Sequence, residues 1–261
     1  MKLRAIAFNT FKEAIRDRIL YNLLIFAFIL IGGSTLLATL TVGEQAKIIM
    51  DIGLASINLF GVLIAIFLGI GLVSKEIEKR TIYTVLSKPI GRTQFLLGKY
   101  LGLLLTLLLN SAVMTVGLFL VLMFNRARWG ESIWNVEPRL MLAVFLIYLE
   151  LTLLTASALL FSTFTTSTLA AIFSLSVYVI GQISGDLVTI SEKMEGNLLS
   201  HFLKGIYYTL PNLAQFNIKG QVVHRIPVEP SYLFWTFSYA VVYVMLLMTA
   251  AALIFRKRDF K

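Results

Sequence analysis

The sequence contains no cysteine and only two histidines, His201 and His224, among its 261 residues. Without cysteine the chain has no disulfide, no thiolate metal ligand and no cysteine nucleophile. Charged residues are also scarce, at 14%, whereas soluble globular proteins carry about 25%. The mean hydropathy of +0.84 completes a composition that excludes an ordinary soluble enzyme and indicates a membrane protein.

Six apolar runs are each long enough to cross a hydrocarbon core of about 30 Å as a helix. They cover residues 21–41, 52–73, 98–124, 139–161, 168–190 and 231–255. Lipid offers no hydrogen-bond partners, so each run must satisfy its own backbone as a helix. The first run is too long for a cleaved signal, and five others follow it. The sequence therefore predicts an all-α integral membrane protein with one membrane domain over residues 1–261.

Lysine and arginine are distributed unevenly about these spans. If the N-terminus is cytoplasmic and six helices cross, 15 of the 23 basic residues lie in cytoplasmic segments. Of the acids, 5 lie inside and 8 outside, with Glu150 within a span. This is the pattern of the positive-inside rule, and it places both termini in the cytoplasm. Nucleic-acid binding is not predicted, because no soluble basic surface remains for it.

Residues 1–20 precede the first span and have helical periodicity. The apolar positions at i, i+3 and i+4 spacing are Leu3, Ile6, Ala7, Phe11, Ala14 and Ile15. The basic residues of this segment are Lys2, Arg4, Lys12, Arg16 and Arg18. Such a stripe favours an amphipathic helix in the headgroup layer of the bilayer. A disordered tail is the alternative.

Three catalytic patterns are present only in part. A phosphate-binding loop needs a first glycine and a hydroxyl residue that Gly98-Lys99-Tyr100 lacks. GQISG at 181–185 has one residue too many for the motif of an intramembrane serine protease. Glu76 and Arg80 have the spacing of a metal-dependent membrane protease, but no histidine ligands lie on neighbouring spans. We therefore expect no enzyme activity, no bound metal and no cofactor on this chain.

Glu150 lies near the middle of the fourth span, in FLIYLELTLL. A charge at this depth costs about 2.5–3.5 kcal/mol even on the scale derived from insertion experiments. One interpretation is a proton-relay or substrate contact. The other is a hydrogen-bonded carboxyl that bridges helices, with Asn110 on the third span as a candidate partner. The sequence leaves both open.

The segment 191–230 is the longest predicted external loop. It contains an apolar stripe that Pro211 ends, formed by Leu199, Phe202, Leu203, Ile206 and Leu210. We interpret this stripe as a short helix that dips into the outer leaflet. An external partner protein would contact this segment.

The cytoplasmic loop at 74–97 separates the second and third spans. Residues 76–87 have an apolar helical face, and Pro89 to Arg92 form a turn into the next span. Such a helix is either an interfacial anchor or a docking element for a cytoplasmic protein.

This loop resembles the first cytoplasmic loop of permease subunits of ATP-binding cassette (ABC) exporters of the ABC-2 class. The residues that carry the resemblance are Glu76, Glu78, Arg80-Thr81, Val85-Leu86, Pro89, Arg92 and Gly98-Lys99. LPNLAQFNIKG at 210–220 is similar to the branch of permeases for multicopper-enzyme maturation.

The resemblance implies a type V exporter fold with six transmembrane helices, an N-terminal connecting helix and a cytoplasmic coupling helix. The implied coupling residues are Glu76, Glu78, Arg80, Thr81, Lys88, Pro89 and Arg92. The expected partners are a cytoplasmic ABC ATPase that binds ATP and Mg²⁺, a second permease in a homo- or heterodimer, and a periplasmic accessory protein. The expected location is a prokaryotic inner membrane.

Two other functions remain compatible with the residues themselves. The chain could be an ion-driven secondary carrier with Glu150 as its coupling site. It could also be a membrane scaffold that transports nothing. No cluster of side chains in the spans identifies a substrate.

Overall fold

The computed structural model describes residues 2–41, 43–78, 91–130, 139–193 and 198–257. Within these ranges the regular secondary structure is helical, as predicted. The α-helices are α1 (Lys2–Ile15), α2 (Arg18–Thr39), α3 (Gln45–Glu78), α4 (Arg92–Arg128), α5 (Arg139–Phe164), α6 (Ser167–Gln182), α7 (Ser184–Lys193), α8 (Leu198–Thr209), α9 (Lys219–Val223) and α10 (Pro230–Lys257). A 3₁₀ turn, Ala214–Phe216, lies between α8 and α9.

Five helices in the described residues are long and apolar enough to cross a membrane: α2, α3, α4, α5 and α10. The predicted fifth span is not straight. It consists of α6 and α7, whose axes differ by 58° across a break at Ile183. Counted as one broken span, this pair completes the six predicted crossings. The sequence signal for the break is the pair of glycines in GQISG, Gly181 and Gly185.

Several helices are longer than their apolar runs. Helix α3 begins at Gln45, before the second predicted span at 52–73, and continues to Glu78. Helix α4 begins at Arg92, so residues 92–97 belong to a membrane helix and not to the 74–97 loop. Hydropathy marks only the part of a helix that lipid surrounds, whereas the backbone hydrogen bonds continue into the polar ends. Residues 79–90, with most of the predicted coupling helix, lie outside the described residues.

The termini of the described chain lie at the same end of the bundle, here called the α1 end. The rings of Phe95 and Phe255 stack 6.2 Å apart, which places the start of α4 beside the end of α10. At the opposite end, called the α9 end, Arg139 Nη1 donates a hydrogen bond to the carbonyl of Arg225. This arrangement agrees with an even number of crossings.

Helices α3 and α5 form the centre of the bundle. In each, 72% of the apolar window is buried, compared with 22% for α2 and 17% for α10. The outward faces of α2 and α10 are correspondingly rich in exposed leucine, isoleucine and phenylalanine. The core is therefore a central pair of helices surrounded by α2, α4, α6 and α10.

Helix α1 packs along the first half of α4, and glycine makes this contact possible. A Cβ atom on Gly102 would lie 2.5 Å from the backbone oxygen of Ala7. Lys99 is 2% exposed, and its Nζ lies 3.3 Å from Glu13 Oε2. The regular helix over Lys2–Ile15 agrees with the periodicity of this segment and not with a disordered tail.

Candidate functional site

A buried polar cluster joins α3, α5 and α6 inside the bundle. Glu150 on α5 is completely buried. Its Oε2 accepts a hydrogen bond from Asn58 Nδ2 at 2.8 Å, and its Oε1 accepts one from Gln182 Nε2 at 2.5 Å. The hydroxyl of Tyr178 donates to Asn58 Oδ1 at 2.9 Å. We call Asn58, Glu150, Tyr178 and Gln182 the Glu150 cluster.

The cluster suits a carboxylate, because both oxygens of Glu150 face N–H donors. An ionised carboxylate only accepts hydrogen bonds, and an amide nitrogen only donates them. A basic side chain also acts on this site. Lys219 interacts electrostatically with both Glu150 and Asp51. Lys219 on α9 thus supplies a positive charge that interacts with Glu150 from outside the three helices.

The depth of the cluster follows from helix lengths. Helix α6 rises about 22 Å from Ser167 to Gln182 at 1.5 Å per residue. Glu150 precedes the end of α5 at Phe164 by 14 residues, or about 21 Å. Because α5 and α6 are connected at the α1 end, α6 ends level with Glu150, roughly halfway along the bundle.

The space beyond the end of α6 is filled by residues 211–223, which we call the inserted segment. Its main apolar side chains, Leu213, Phe216, Ile218 and Val222, are at most 1% exposed. The backbone N–H of Leu213 donates to the carbonyl of Gly181 at 3.0 Å. Irregular backbone at membrane depth is tolerated where protein buries it, which is the case here.

Side chains on both flanking helices hold the inserted segment. Ser184 Oγ donates to Asn212 Oδ1 at 2.7 Å, and the backbone N–H of Asn212 donates to the Tyr239 hydroxyl at 2.8 Å. The segment 191–230, predicted as an external loop, is thus not a surface loop throughout, because residues 211–223 pack into the core. The predicted short helix corresponds to α8, which ends at Thr209, close to Pro211.

Replacing Gly181 with valine is expected to expel the inserted segment from its place. A Cβ at this position would lie 2.8 Å from the carbonyl oxygen of Pro211 and 2.7 Å from Leu213 Cγ. The backbone cannot yield as a flexible side chain would, so we expect faster proteolysis between residues 198 and 225. Limited proteolysis with mass spectrometry measures this. Gly185→Val is the control, since a Cβ there meets nothing within 4 Å, and equal cleavage of both variants would contradict the expectation.

Asn110, the partner suggested by the sequence for Glu150, does not contact it. The Asn110 side-chain amide donates instead to the carbonyl of Thr106, one turn back on α4, at 2.8 Å. The observed partners of Glu150, Asn58 and Gln182, are also polar residues within apolar runs, and this is the only feature of the sequence that points to them. Choosing among such residues requires the packing, in which α3 and α6 approach Glu150.

The predicted coupling residues are only partly described. Glu76 and Glu78 lie on the last turns of α3. The other predicted coupling residues before Arg92 lie outside the described residues: Arg80, Thr81, Lys88 and Pro89. Arg92 begins α4, and its Nη1 donates to the carbonyls of Phe255 at 3.4 Å and Arg256 at 2.9 Å. A guanidinium suits the carbonyl groups that remain unpaired at a helix C-terminus. Arg92 therefore ties α4 to the end of α10.

The basic residues predicted for the interfacial helix lie on or just after α1. The side chains of Lys2, Arg4, Lys12, Arg16 and Arg18 are all exposed. The buried residues of α1 are Ala7, Thr10 and Ala14, and Ala7 and Thr10 lie against Gly102 of α4. The helix thus has a narrow face of small residues against the bundle and a basic outer surface.

A comparison with protein families accounts for this arrangement. No curated protein matches the chain. The model of the ABC-2 family of transporter proteins matches residues 4–260, which is nearly the whole chain, and includes α1, every membrane helix and the inserted segment. The chain therefore belongs to the ABC-2 transporter family.

Proposed function

We propose that this chain is the permease subunit of an ABC exporter, which dimerises and is driven by a separate ATPase. The observation that carries the proposal is the family match over residues 4–260. In this proposal ATP and Mg²⁺ bind to the partner subunit. The match between 210–220 and the branch for multicopper-enzyme maturation stays a prediction.

The course of α3 supports a role in transmitting motion. This single helix of 34 residues carries Asn58 in its middle and Glu78 at its end, next to the proposed coupling segment. An ATPase that pushed on this segment would move the same rigid helix that holds the Glu150 cluster. Packed cores and interfaces respond to such displacement by switching between discrete arrangements.

Helices α1 and α4 support a second route for the same motion. The ion pair between the buried Lys99 and the half-exposed Glu13 and the close contact at Gly102 fix α1 to α4. Arg92 fixes the start of α4 to the end of α10. Displacement of residues 79–90 would therefore move α3 and the group formed by α1, α4 and α10.

The orientation that we propose places the α1 end in the cytoplasm of a prokaryotic cell, with the chain in the inner membrane. The basic side chains at this end support it, because lysine and arginine concentrate on the cytoplasmic side. Both described ends of the chain lie there, at Lys2 and Lys257. A periplasmic accessory protein would then meet the α9 end.

Charge reversal in the coupling segment tests the proposal. Glu76→Arg and Arg80→Glu are each expected to reduce co-purification of a co-expressed ABC ATPase subunit about tenfold, the effect of roughly 1.4 kcal/mol at the interface. The matched controls, Glu44→Arg and Arg128→Glu, make the same changes near the α9 end and should retain the ATPase. Transport by the purified chain under a proton gradient, without any ATPase, would refute the proposal.

A further inference from the structure

An apolar groove of about 600 Å³ lies between α1, α4 and α5 at the α1 end. Its lining residues are Leu3, Arg4, Ala7 and Phe8 of α1, Leu101, Leu104 and Leu105 of α4, and Tyr148 of α5. The groove is open at the side of the bundle, because Phe8, Leu101 and Leu105 are all exposed. The hydroxyl of Tyr148 already donates to the carbonyl of Leu104 at 3.3 Å, which leaves the floor apolar.

The charge around the groove is positive. Arg4 is the charged residue in the lining, and its side chain is exposed. Residues 2–18 contain five basic and two acidic side chains. One of the acids, Glu13, is paired with Lys99 of α4. An occupant therefore needs an apolar part for the groove and an anionic part for Arg4.

We propose that this groove binds an anionic glycerophospholipid from the surrounding bilayer. An acyl chain lies along Phe8, Leu101 and Leu105, and the phosphate contacts the guanidinium of Arg4. Arginine suits this contact because its planar donors bind phosphate oxygens in pairs. Basic pockets between membrane helices on the cytoplasmic side recognise anionic headgroups in the same way. This inference does not depend on the proposed ATPase.

The size of the groove favours a lipid over a partner helix. A helix about 10 Å wide fills roughly 400 Å³ per turn, so a groove of about 600 Å³ admits little more than one turn. An acyl chain is narrow enough to use the whole length. Helix α1 forms one wall, so the bound lipid would also help to hold α1 against α4.

Native mass spectrometry of the full chain tests the proposal with two lipids that have identical acyl chains, phosphatidylglycerol and phosphatidylcholine. The unmodified chain is expected to bind phosphatidylglycerol about tenfold more tightly. Arg4→Gln should remove this preference. Arg16→Gln is the matched control, because it removes an equal charge just beyond α1 and away from the groove; it should keep the preference. Equal binding of both lipids by the unmodified chain, or equal losses in the two variants, would overturn the proposal.

A bulky side chain placed in the groove provides a second, independent test. Leu101→Trp should block the acyl chain and weaken the binding of both lipids. Leu109→Trp, at an exposed position of α4 outside the groove, should leave the binding of both lipids unchanged. Melting temperatures of all variants check that they fold, so a loss of binding is assigned only to folded protein. If Leu101→Trp instead changes the oligomeric mass and leaves lipid binding intact, the occupant is a second copy of this chain and the proposal fails.

Discussion

Replacing Glu150 with leucine is expected to lower the free energy of unfolding by about 1–2 kcal/mol. The substitution leaves the amides of Asn58 and Gln182 without their acceptor inside the bundle. An orphaned buried donor costs about 1–3 kcal/mol in soluble proteins, but hydrogen bonds between membrane helices average only about 0.6 kcal/mol. Two hydrogen bonds at the membrane value give the lower figure of about 1 kcal/mol. The membrane value is small because the unfolded chain finds alternative partners within the membrane. Thermal or denaturant unfolding in detergent, followed by circular dichroism, measures the change.

Glu150→Gln separates hydrogen bonding from charge. The Gln182 amide can reverse and accept from the new glutamine, whereas Asn58 keeps its orientation because Tyr178 donates to its Oδ1. This variant should therefore keep the hydrogen bonds of the Glu150 cluster and lose only its charge. Full transport by Glu150→Gln would make the carboxyl a structural bridge. Lost transport in a stable Glu150→Gln protein would instead assign a functional role to its charge.

Lys219 provides the second half of the charge experiment. Lys219→Met removes the cation that interacts with Glu150. If the two charges act on each other, the double variant should lose less free energy of unfolding than the two single variants lose together. Strict additivity of the two substitutions would show that Lys219 acts independently of the carboxyl.

Replacing Gly102 with leucine is expected to detach α1 from α4 and to abolish transport. The new Cβ would lie 2.5 Å from both the Ala7 carbonyl oxygen and the Thr10 Cβ, so the α1 backbone must move. Movement of α1 also separates Glu13 from Lys99, which is 2% exposed. Because Glu13 is half-exposed, solvent screens this ion pair, and its loss adds only about 1 kcal/mol to the effect of displacing α1.

The distance between α1 and α4 is the measurement for Gly102→Leu. The chain lacks cysteine, so spin labels on cysteines introduced at Phe8 and Leu109 report it directly by pulsed electron paramagnetic resonance. A longer and broader distance distribution is expected. Gly33→Leu is the control. Gly33 lies on α2, away from the contact between α1 and α4, and a Cβ there meets nothing within 4 Å. An unchanged distribution in Gly102→Leu would contradict the predicted role of this contact.

Hydropathy and periodicity predicted most of the fold. The apolar runs located the membrane helices, and the stripe in residues 1–20 located α1, because both depend on residues close in sequence. The ends of α3 and α4 were missed since helices continue past their apolar parts. The break at Ile183 was missed because Val179, Ile180 and Ile183 are as apolar as the rest of the run.

The inserted segment and the partners of Glu150 depend on contacts distant in sequence. Leu213 and Phe216 lie among the polar residues Asn212, Gln215 and Asn217, a pattern typical of an exposed loop, yet both side chains are buried in the core. Asn58 and Asn110 look equivalent as lone amides in apolar helices. Only the approach of α3 to α5 decides that Asn58 reaches the carboxyl.

The position of Asn58 along α3 divides that helix into unequal arms. From Asn58 the helix extends 20 residues, or about 30 Å, to Glu78 and 13 residues, or about 20 Å, to Gln45. If α3 tilts about its hydrogen bond to Glu150, the α9 end swings opposite to the α1 end and through about two thirds of the distance. A rigid helix pivoting there would widen the bundle at one face of the membrane while narrowing it at the other, which is the geometric requirement for alternating access.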